Sequence, residues 1–356
     1  MRCLLLSRYG PLGASSRMRS YQYLEFLKIQ GIEVTVASLL DDSYLTRLYA
    51  GRPPQWDAII KSYLRRLIWL LKSRHYDLLW LEYEIFPWLP AAVEWILSLT
   101  RIPYVVDYDD AVFHRYDLHK SPLARIFLSR KIDRVMKLAS LVVVGNDYLA
   151  ERARRAGARR VEYLPTVVDL TRYPLLAPRR KTIFTIGWIG SPTTAPYLQL
   201  VQPALVEVCK QRKAKLILIG SPRAELNGVH TEFREWSAEG EAIDIRDFDV
   251  GIMPLPDTPW ARGKCGYKII QYMASARPPI ASPVGVNQKL ITHGTNGLLA
   301  RSKADWVDNL ISLCDNPNER ERMGKAGRAL VEEQYCLEAT GSRLTFLLKE
   351  AARRSS

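Results

Sequence analysis

The chain has 356 residues, about twice the usual domain length, so two domains are expected. With 47% hydrophobic and 25% charged residues its composition excludes a disordered or collagen-like chain. Basic residues number 51 against 37 acidic, and this +14 balance, spread over both halves, favours anionic partners: phosphorylated substrates, acidic lipid or nucleic acid.

The five cysteines (Cys3, Cys209, Cys265, Cys314, Cys336) are odd in number and scattered, with no Cys-x-x-Cys pair. They read as free thiols of a reducing compartment, and a zinc site is not expected. The first apolar run, Cys3 to Leu6, stops at Ser7, so no signal peptide is read, and no stretch approaches the ~18 apolar residues of a membrane span. The expectation is a cytoplasmic protein, free or peripheral on the inner face of the cell membrane.

Short apolar runs alternate with helical patterns throughout, the mark of parallel α/β architecture. The first half carries Cys3–Leu6, Val34–Ala37, Leu78–Leu81, Tyr104–Val106, Leu141–Val144 and Val161–Leu164. The second carries Ile183–Ile189, Leu216–Ile219, Val250–Met253, Pro279–Ala281 and Gly297–Ala300. Runs this apolar suit strands covered on both faces. Helical spacing falls over 17–30, 122–139, 146–156, 195–211 and 303–316. The segment 173–181, with two prolines and a basic end, reads as the linker between domains 1–172 and 182–335, followed by a last helix over 336–356. Two doubly wound units imply a cleft beyond the carboxyl ends of their strands, where open α/β sheets bind ligands.

The loop after the first strand, Ser7 to Arg19, contains Gly10, Gly13 and a Ser15-Ser16 pair. It predicts a helix start capped by a serine, with free amides for an anion and added charge from Arg17 and Arg19. An ordinary capped turn is the plain alternative, and the Gly-x-Gly-x-x-Gly dinucleotide spacing is absent. The fourth strand leads into Asp107-Tyr-Asp-Asp110, carboxylates whose crowding asks for a cationic partner, sugar hydroxyls or acid/base work. Helix capping by one aspartate and solvation of the others is the alternative. Glu82 and Glu84, ending the third strand, are expected to open into the same cleft.

In the second half, Gly190-Ser-Pro-Thr-Thr194 joins a strand to a helix start and can bring amides close to a phosphate. The most telling stretch runs from Asp249 to Ala274. A strand enters a proline-rich loop, and a helix begins near Lys264–Gly266. Arg262, Lys264 and Lys268 would then crowd its first turns, where the macrodipole disfavours cations unless an anion joins them. A bound phosphate resolves that conflict; a solvated basic face is the alternative.

These residues resemble the GT-B glycosyltransferases, and within them the retaining enzymes of family 4. The likeness spans nearly the whole chain, including Pro-Thr-Val-Val-Asp169, Met273-Ala274, Pro278 to Ser282 and Asn296 to Leu299. The resemblance implies two Rossmann-like domains facing across a cleft, with the last helix crossing back to the first. It implies a nucleotide-sugar donor (UDP- or GDP-sugar) on the second domain, a glycan or lipid-linked acceptor on the first, no metal and retention of configuration. Candidate catalytic residues are then Asp109, Asp110 and Lys268. Candidate donor contacts are Gly13, Ser16 and Arg17; Gly190, Ser191, Thr193 and Thr194; and Arg262, Lys264, Cys265, Gly266 and Gln271. The sequence departs from the family in three places. Its paired glutamates become Gly263 and Gln271, its phosphate-turn Arg and Lys become Trp188 and Thr193, and Asp109 replaces a histidine. An epimerase of the same fold and a sugar-nucleotide-binding protein without turnover are the rival readings.

Residues 59–75 form a basic amphipathic pattern with a central Trp69, including Arg65 and Arg66. It suits an anionic membrane surface, or else a packing helix with a solvated basic edge. The charge lies in scattered pieces with no nucleic-acid-reading module, so nucleic acid is not an expected partner.

Overall fold

The computed structural model describes residues 1–100, 102–175, 182–221 and 226–353. Two six-stranded sheets account for its strands, and every neighbouring pair in both is parallel. The first holds β1 (Arg2–Leu6), β2 (Glu33–Val36), β3 (Leu78–Glu82), β4 (Tyr104–Tyr108), β5 (Leu141–Val144) and β6 (Val161–Tyr163), in the order β2-β1-β3-β4-β5-β6. The second holds β7 (Phe184–Ile189), β8 (Ala214–Ile219), β9 (Thr231–Arg234), β10 (Val250–Met253), β11 (Pro279–Ala281) and β12 (Leu298–Leu299), in the order β12-β11-β10-β7-β8-β9.

Strand order reverses between β1 and β3 and between β7 and β10, which places one topological switch point in each sheet. Crevices beyond the strand ends at such points are where open α/β sheets take ligands. The central strands are buried on both faces, as their continuous apolar runs require: β3, β4 and β5 are wholly buried. Of the strands, only β9 escapes the sequence reading. Its Thr-Glu-Phe-Arg is polar because it pairs on one side alone, at the sheet edge.

Chain contacts divide the protein into two units. The first comprises Met1–Thr166, Arg262–Cys265 and the C-terminal helix; the second comprises Val167–Ala261 and Gly266–Cys336. The division falls before the 173–181 segment read as a linker, whose residues 176–181 lie outside the described residues. Val167–Tyr173 already belong to the second unit, where Val168 bridges to Cys336.

The C-terminal helix, Leu337–Arg353, is an integral layer of the first unit. Leu344, Leu347 and Leu348 are fully buried, and Thr340 exchanges a 2.8 Å hydrogen bond with Tyr23. Gly341 lies so close to Phe26 that a Cβ would approach its ring to 2.8 Å. Arg160 pairs with Glu350 at 2.7 Å. Leu348→Ala should therefore cost about 2–5 kcal/mol by leaving a cavity in the first unit. Denaturant unfolding, with proteolytic mapping to show which unit opens first, checks this.

Candidate functional site

In the first unit the candidate residues gather where β1, β3 and β4 end. The helix after β1 spans Ala14–Arg19 with Gly13 at its N-cap and no side-chain cap, which corrects the expected serine cap. Ser16 is fully buried; its hydroxyl donates to Glu82 at 2.6 Å and accepts from the Tyr9 amide at 3.2 Å. Gly13 is required by closeness, since a Cβ would sit 2.5 Å from that of Tyr9. The Arg17 guanidinium donates to the Pro11 carbonyl of its own loop at 3.3 Å.

Glu82 and Glu84 do not open to solvent; both are 4% exposed. Glu82 accepts from Ser16 and from the Arg8 amide through one oxygen, while its other oxygen is buried without a partner. Burial outweighs those hydrogen bonds and pushes its carboxyl up to about 7. Glu84 meets Lys131 at 2.5 Å, Arg8 at 3.2 Å and the Tyr116 hydroxyl at 2.7 Å. Burial raises its carboxyl, but Lys131 and Arg8 together prevail and hold it below the usual range.

The three aspartates after β4 are likewise separated by their partners. Asp107 is buried in a two-point pair with Arg19, at 2.7 and 2.9 Å, so Arg19 is committed within the fold and is no anion site. Burial raises the Asp107 carboxyl against the pull of Arg19. Asp109 accepts from the Tyr83 hydroxyl. Asp110 pairs with Lys264 at 3.4 Å, and burial raises its carboxyl against that cation.

Lys264 belongs to a four-residue segment, Arg262–Cys265, that groups with the first unit. Asn146 caps the helix after β5 with its side-chain oxygen and donates its amide to the carbonyls of Gly263 (2.8 Å) and Lys264 (3.0 Å). The Cys265 thiol is buried, donates to the Asp109 carbonyl at 3.0 Å and is driven well above its ordinary pKa by burial. Its side chain therefore packs within the first unit. Gly263 presses on Ala111, whose nitrogen would lie 2.9 Å from an added Cβ.

The second unit assembles a different group. Gly190 follows β7 and covers the Trp188 ring so closely that a Cβ would approach it to 2.6 Å. Ser191 and Thr193 exchange a 2.7 Å hydrogen bond, and the Thr194 hydroxyl donates back to the Ser191 carbonyl. Gly266 adopts a left-handed conformation (φ 70°) at the N-cap of the helix Tyr267–Ala274. From that helix's first turn, Lys268 lies 5.1 Å from the Trp188 ring centroid and 3.5 Å from the Thr194 hydroxyl. Gln271, read as a ribose contact, is 2% exposed and donates to the Tyr173 hydroxyl at 3.0 Å. That bond ties the helix to Tyr173.

The expected crowd of cations on one helix is also corrected. Arg262 ends a short helix, Pro259–Arg262, where the dipole favours a cation; Lys264 precedes Gly266 and faces Asp110. Of the three, Lys268 alone stands in the first turn of Tyr267–Ala274. Sequence reasoning missed Tyr83 and Asn146. For Asn146 a capping signal was present, but nothing in a single sequence announces a tyrosine held at positive φ.

Two family models match. "Glycosyl transferase 4-like domain" covers residues 22–166, and "Glycosyl transferases group 1" covers 180–316. The chain belongs to the family 4-like glycosyltransferases. A Corynebacterium glutamicum GDP-mannose-dependent monoacylated alpha-(1-6)-phosphatidylinositol monomannoside mannosyltransferase is 29% identical, over 54% of this chain and 57% of its own length. A Pseudarthrobacter chlorophenolicus D-inositol 3-phosphate glycosyltransferase is 32% identical over 29% of this chain and 24% of its own. The chain thus spans little more than half of the first of these relatives and a quarter of the second.

Among solved structures, sucrose-phosphate synthase from Thermosynechococcus elongatus aligns with a TM-score of 0.73 at 15% identity over 99% of both chains. Anabaena HepE in complex with UDP-glucose aligns at 0.70 and 15%, over 98% of this chain and all of that one. The fold is GT-B.

Of the two positions where the resemblance implies glutamates, Gly263 has no room for a side chain beside Ala111, and Gln271 is buried on Tyr173.

Glu82 provides a pH test of this packing. Its carboxyl rises from an ordinary 4.5 to about 7 on folding. Between those values the folded protein holds a proton that the unfolded chain has released, so stability falls as pH rises through the window. Glu82→Gln should remove a contribution on the order of 3 kcal/mol from that slope. Urea unfolding of both proteins at pH 5 and pH 8 reads it; parallel pH dependence in the two would contradict the assignment.

Proposed function

We propose that the protein transfers a sugar from a nucleotide-sugar donor to a glycan or lipid-linked acceptor, with the retention of configuration that its family resemblance implies. The observation that carries the reading is the meeting of Lys268 with the Gly190–Thr194 turn beside the β7–β10 switch point. A cation in the first turn of a helix opposes the helix dipole, and an arriving diphosphate turns both into favourable partners. Ser191, Thr193 and Thr194 supply hydroxyls, and the turn supplies amides. As the glycosidic bond to the donor breaks, negative charge grows on the departing diphosphate, and the Lys268 ammonium stabilises it. The names of similar proteins agree in kind: one uses GDP-mannose, and another was crystallised with UDP-glucose.

In the first unit Asp109 is the group we assign to the sugar or acceptor. It is half-buried, whereas Asp107 is closed off by Arg19 and Asp110 is paired with Lys264. A carboxylate there accepts hydrogen bonds from sugar hydroxyls and stabilises positive charge at the anomeric carbon. Lys268→Met should slow transfer by about 2–4 kcal/mol of transition-state stabilisation and weaken UDP or GDP binding. Asp109→Asn should keep nucleotide binding but lose roughly a hundredfold in transfer. Thermal shifts with UDP and GDP, together with turnover of UDP-glucose and GDP-mannose, separate the two. Nucleotide binding without turnover by the parent protein would favour the binding-protein reading, and donor isomerisation without acceptor the epimerase.

We further assign the acceptor side to an anionic membrane surface. No helix of the described residues is long and apolar enough to cross a membrane. The helix read at 59–75 spans Trp56–Leu71, and its apolar stripe faces outward, unlike that of a packing helix. Arg66 is 2% exposed and donates to the Ser7 carbonyl at 2.5 Å, so it is no part of a basic edge. Outside lie Trp56, Ile60, Leu64, Leu67, Ile68 and Leu71, each between 44% and 78% exposed. Their spacing makes one stripe, with Lys61, Arg65 and Lys72 exposed around it. An apolar stripe rimmed by cations suits the headgroup boundary of an acidic bilayer. Ile60→Ser with Leu64→Ser should reduce sedimentation with phosphatidylglycerol vesicles at every salt concentration. Arg65→Gln should cost roughly 1 kcal/mol, and only at low salt. Parent-like sedimentation of the double serine variant would remove the helix from the interface.

A further inference from the structure

Tyr83 directly follows β3 and donates its hydroxyl to Asp109. Tyr83 has φ of 64°, and among the described residues only Trp88 and Ala276 share a positive φ without being glycine. A bulky side chain in the left-handed region is strained, and it persists only where its surroundings over-determine it. Here three consecutive residues, the last two of β4 and the one after it, do so. The Tyr83 amide donates to the Asp107 carbonyl at 3.1 Å. The Tyr83 carbonyl accepts from the Tyr108 hydroxyl at 2.7 Å, and the two rings pack at 6.0 Å. The Tyr83 hydroxyl donates to Oδ1 of Asp109.

An aspartate on a half-buried turn has two free side-chain torsions, and a carboxylate that rotates freely is seldom aimed at its substrate. Tyr83 is 4% exposed, so its hydroxyl needs a partner, and the strained backbone turns it towards this one. The Asp109 main chain is gripped separately, by the Cys265 thiol on its carbonyl. We propose that Tyr83 is a positioning residue: it fixes one oxygen of Asp109 so that the other is presented to a sugar hydroxyl. The inference rests on the role given to Asp109 above, and it adds the residue through which that role is enforced.

Two measurements on Tyr83→Phe test it, and the first needs no substrate. In crystal structures of the parent and Tyr83→Phe, the Asp109 carboxylate should leave its position or occupy several, while the Asp110–Lys264 pair stays in place. The second is a cycle with Asp109→Ala, followed by release of nucleoside diphosphate from GDP-mannose and UDP-glucose. Tyr83→Phe alone should lower kcat on the order of 10–100-fold with donor KM within about twofold. In the Asp109→Ala background it should do nothing more, because no carboxylate remains to be aimed. An unmoved carboxylate in Tyr83→Phe overturns the proposal, as does an equal loss of kcat in both backgrounds. A displaced carboxylate combined with full activity of Asp109→Ala would instead sustain the anchoring and overturn the function assigned to Asp109.

Discussion

Five carboxylates crowd the ends of two adjacent strands, and the first unit is organised by the need to keep them apart. Glu82, Glu84, Asp107, Asp109 and Asp110 leave β3 and β4 within a few residues, and three of them are almost wholly buried. Each is answered differently: Ser16 for Glu82, Arg8 with Lys131 for Glu84, Arg19 for Asp107, Tyr83 for Asp109 and Lys264 for Asp110. Removing one partner of a buried pair costs about 3–5 kcal/mol because an uncompensated charge remains. The loop after β1, the helix containing Lys131 and the 262–265 segment are therefore tied to this acidic end of the sheet.

That arrangement also explains which parts were legible in the sequence. Parallel strands buried on both faces leave continuous apolar runs, so the sheets could be read almost element by element. Clustered acids at a strand end likewise marked where candidate residues would gather. What the sequence withheld was the pairing, because Arg8, Arg19 and Lys131 reach their carboxylates through the fold and not through any local spacing. The helix Trp56–Leu71 was legible only in part. Its periodicity revealed an apolar stripe, but periodicity does not say which stripe faces the core, and here Ser62 and Arg66 turn inward.

The candidate donor residues divide along similar lines. Gly190, Thr194 and Lys268 come together because a strand-exit turn and the first turn of a helix meet in the second unit, an arrangement that turn chemistry foreshadows. Arg262, Lys264 and Cys265 looked like neighbours of Lys268 because they are close in sequence. The left-handed Gly266 ends that continuity, and the four residues before it pack with the other unit. Cys265 and Gln271 are both buried, with their side chains bonded inside the fold.

The first unit is discontinuous in sequence, and its final layer is the last helix of the chain. During synthesis, Tyr23 and Phe26 emerge from the ribosome more than three hundred residues before Thr340 and Gly341, which cover them. Domains usually fold as they are made, N-terminal first. This one gains its last layer only once the helix Leu337–Arg353 has emerged, whereas the second unit is complete once Cys336 has emerged. The unit whose first strand is made first is thus the one whose outer layer is made latest.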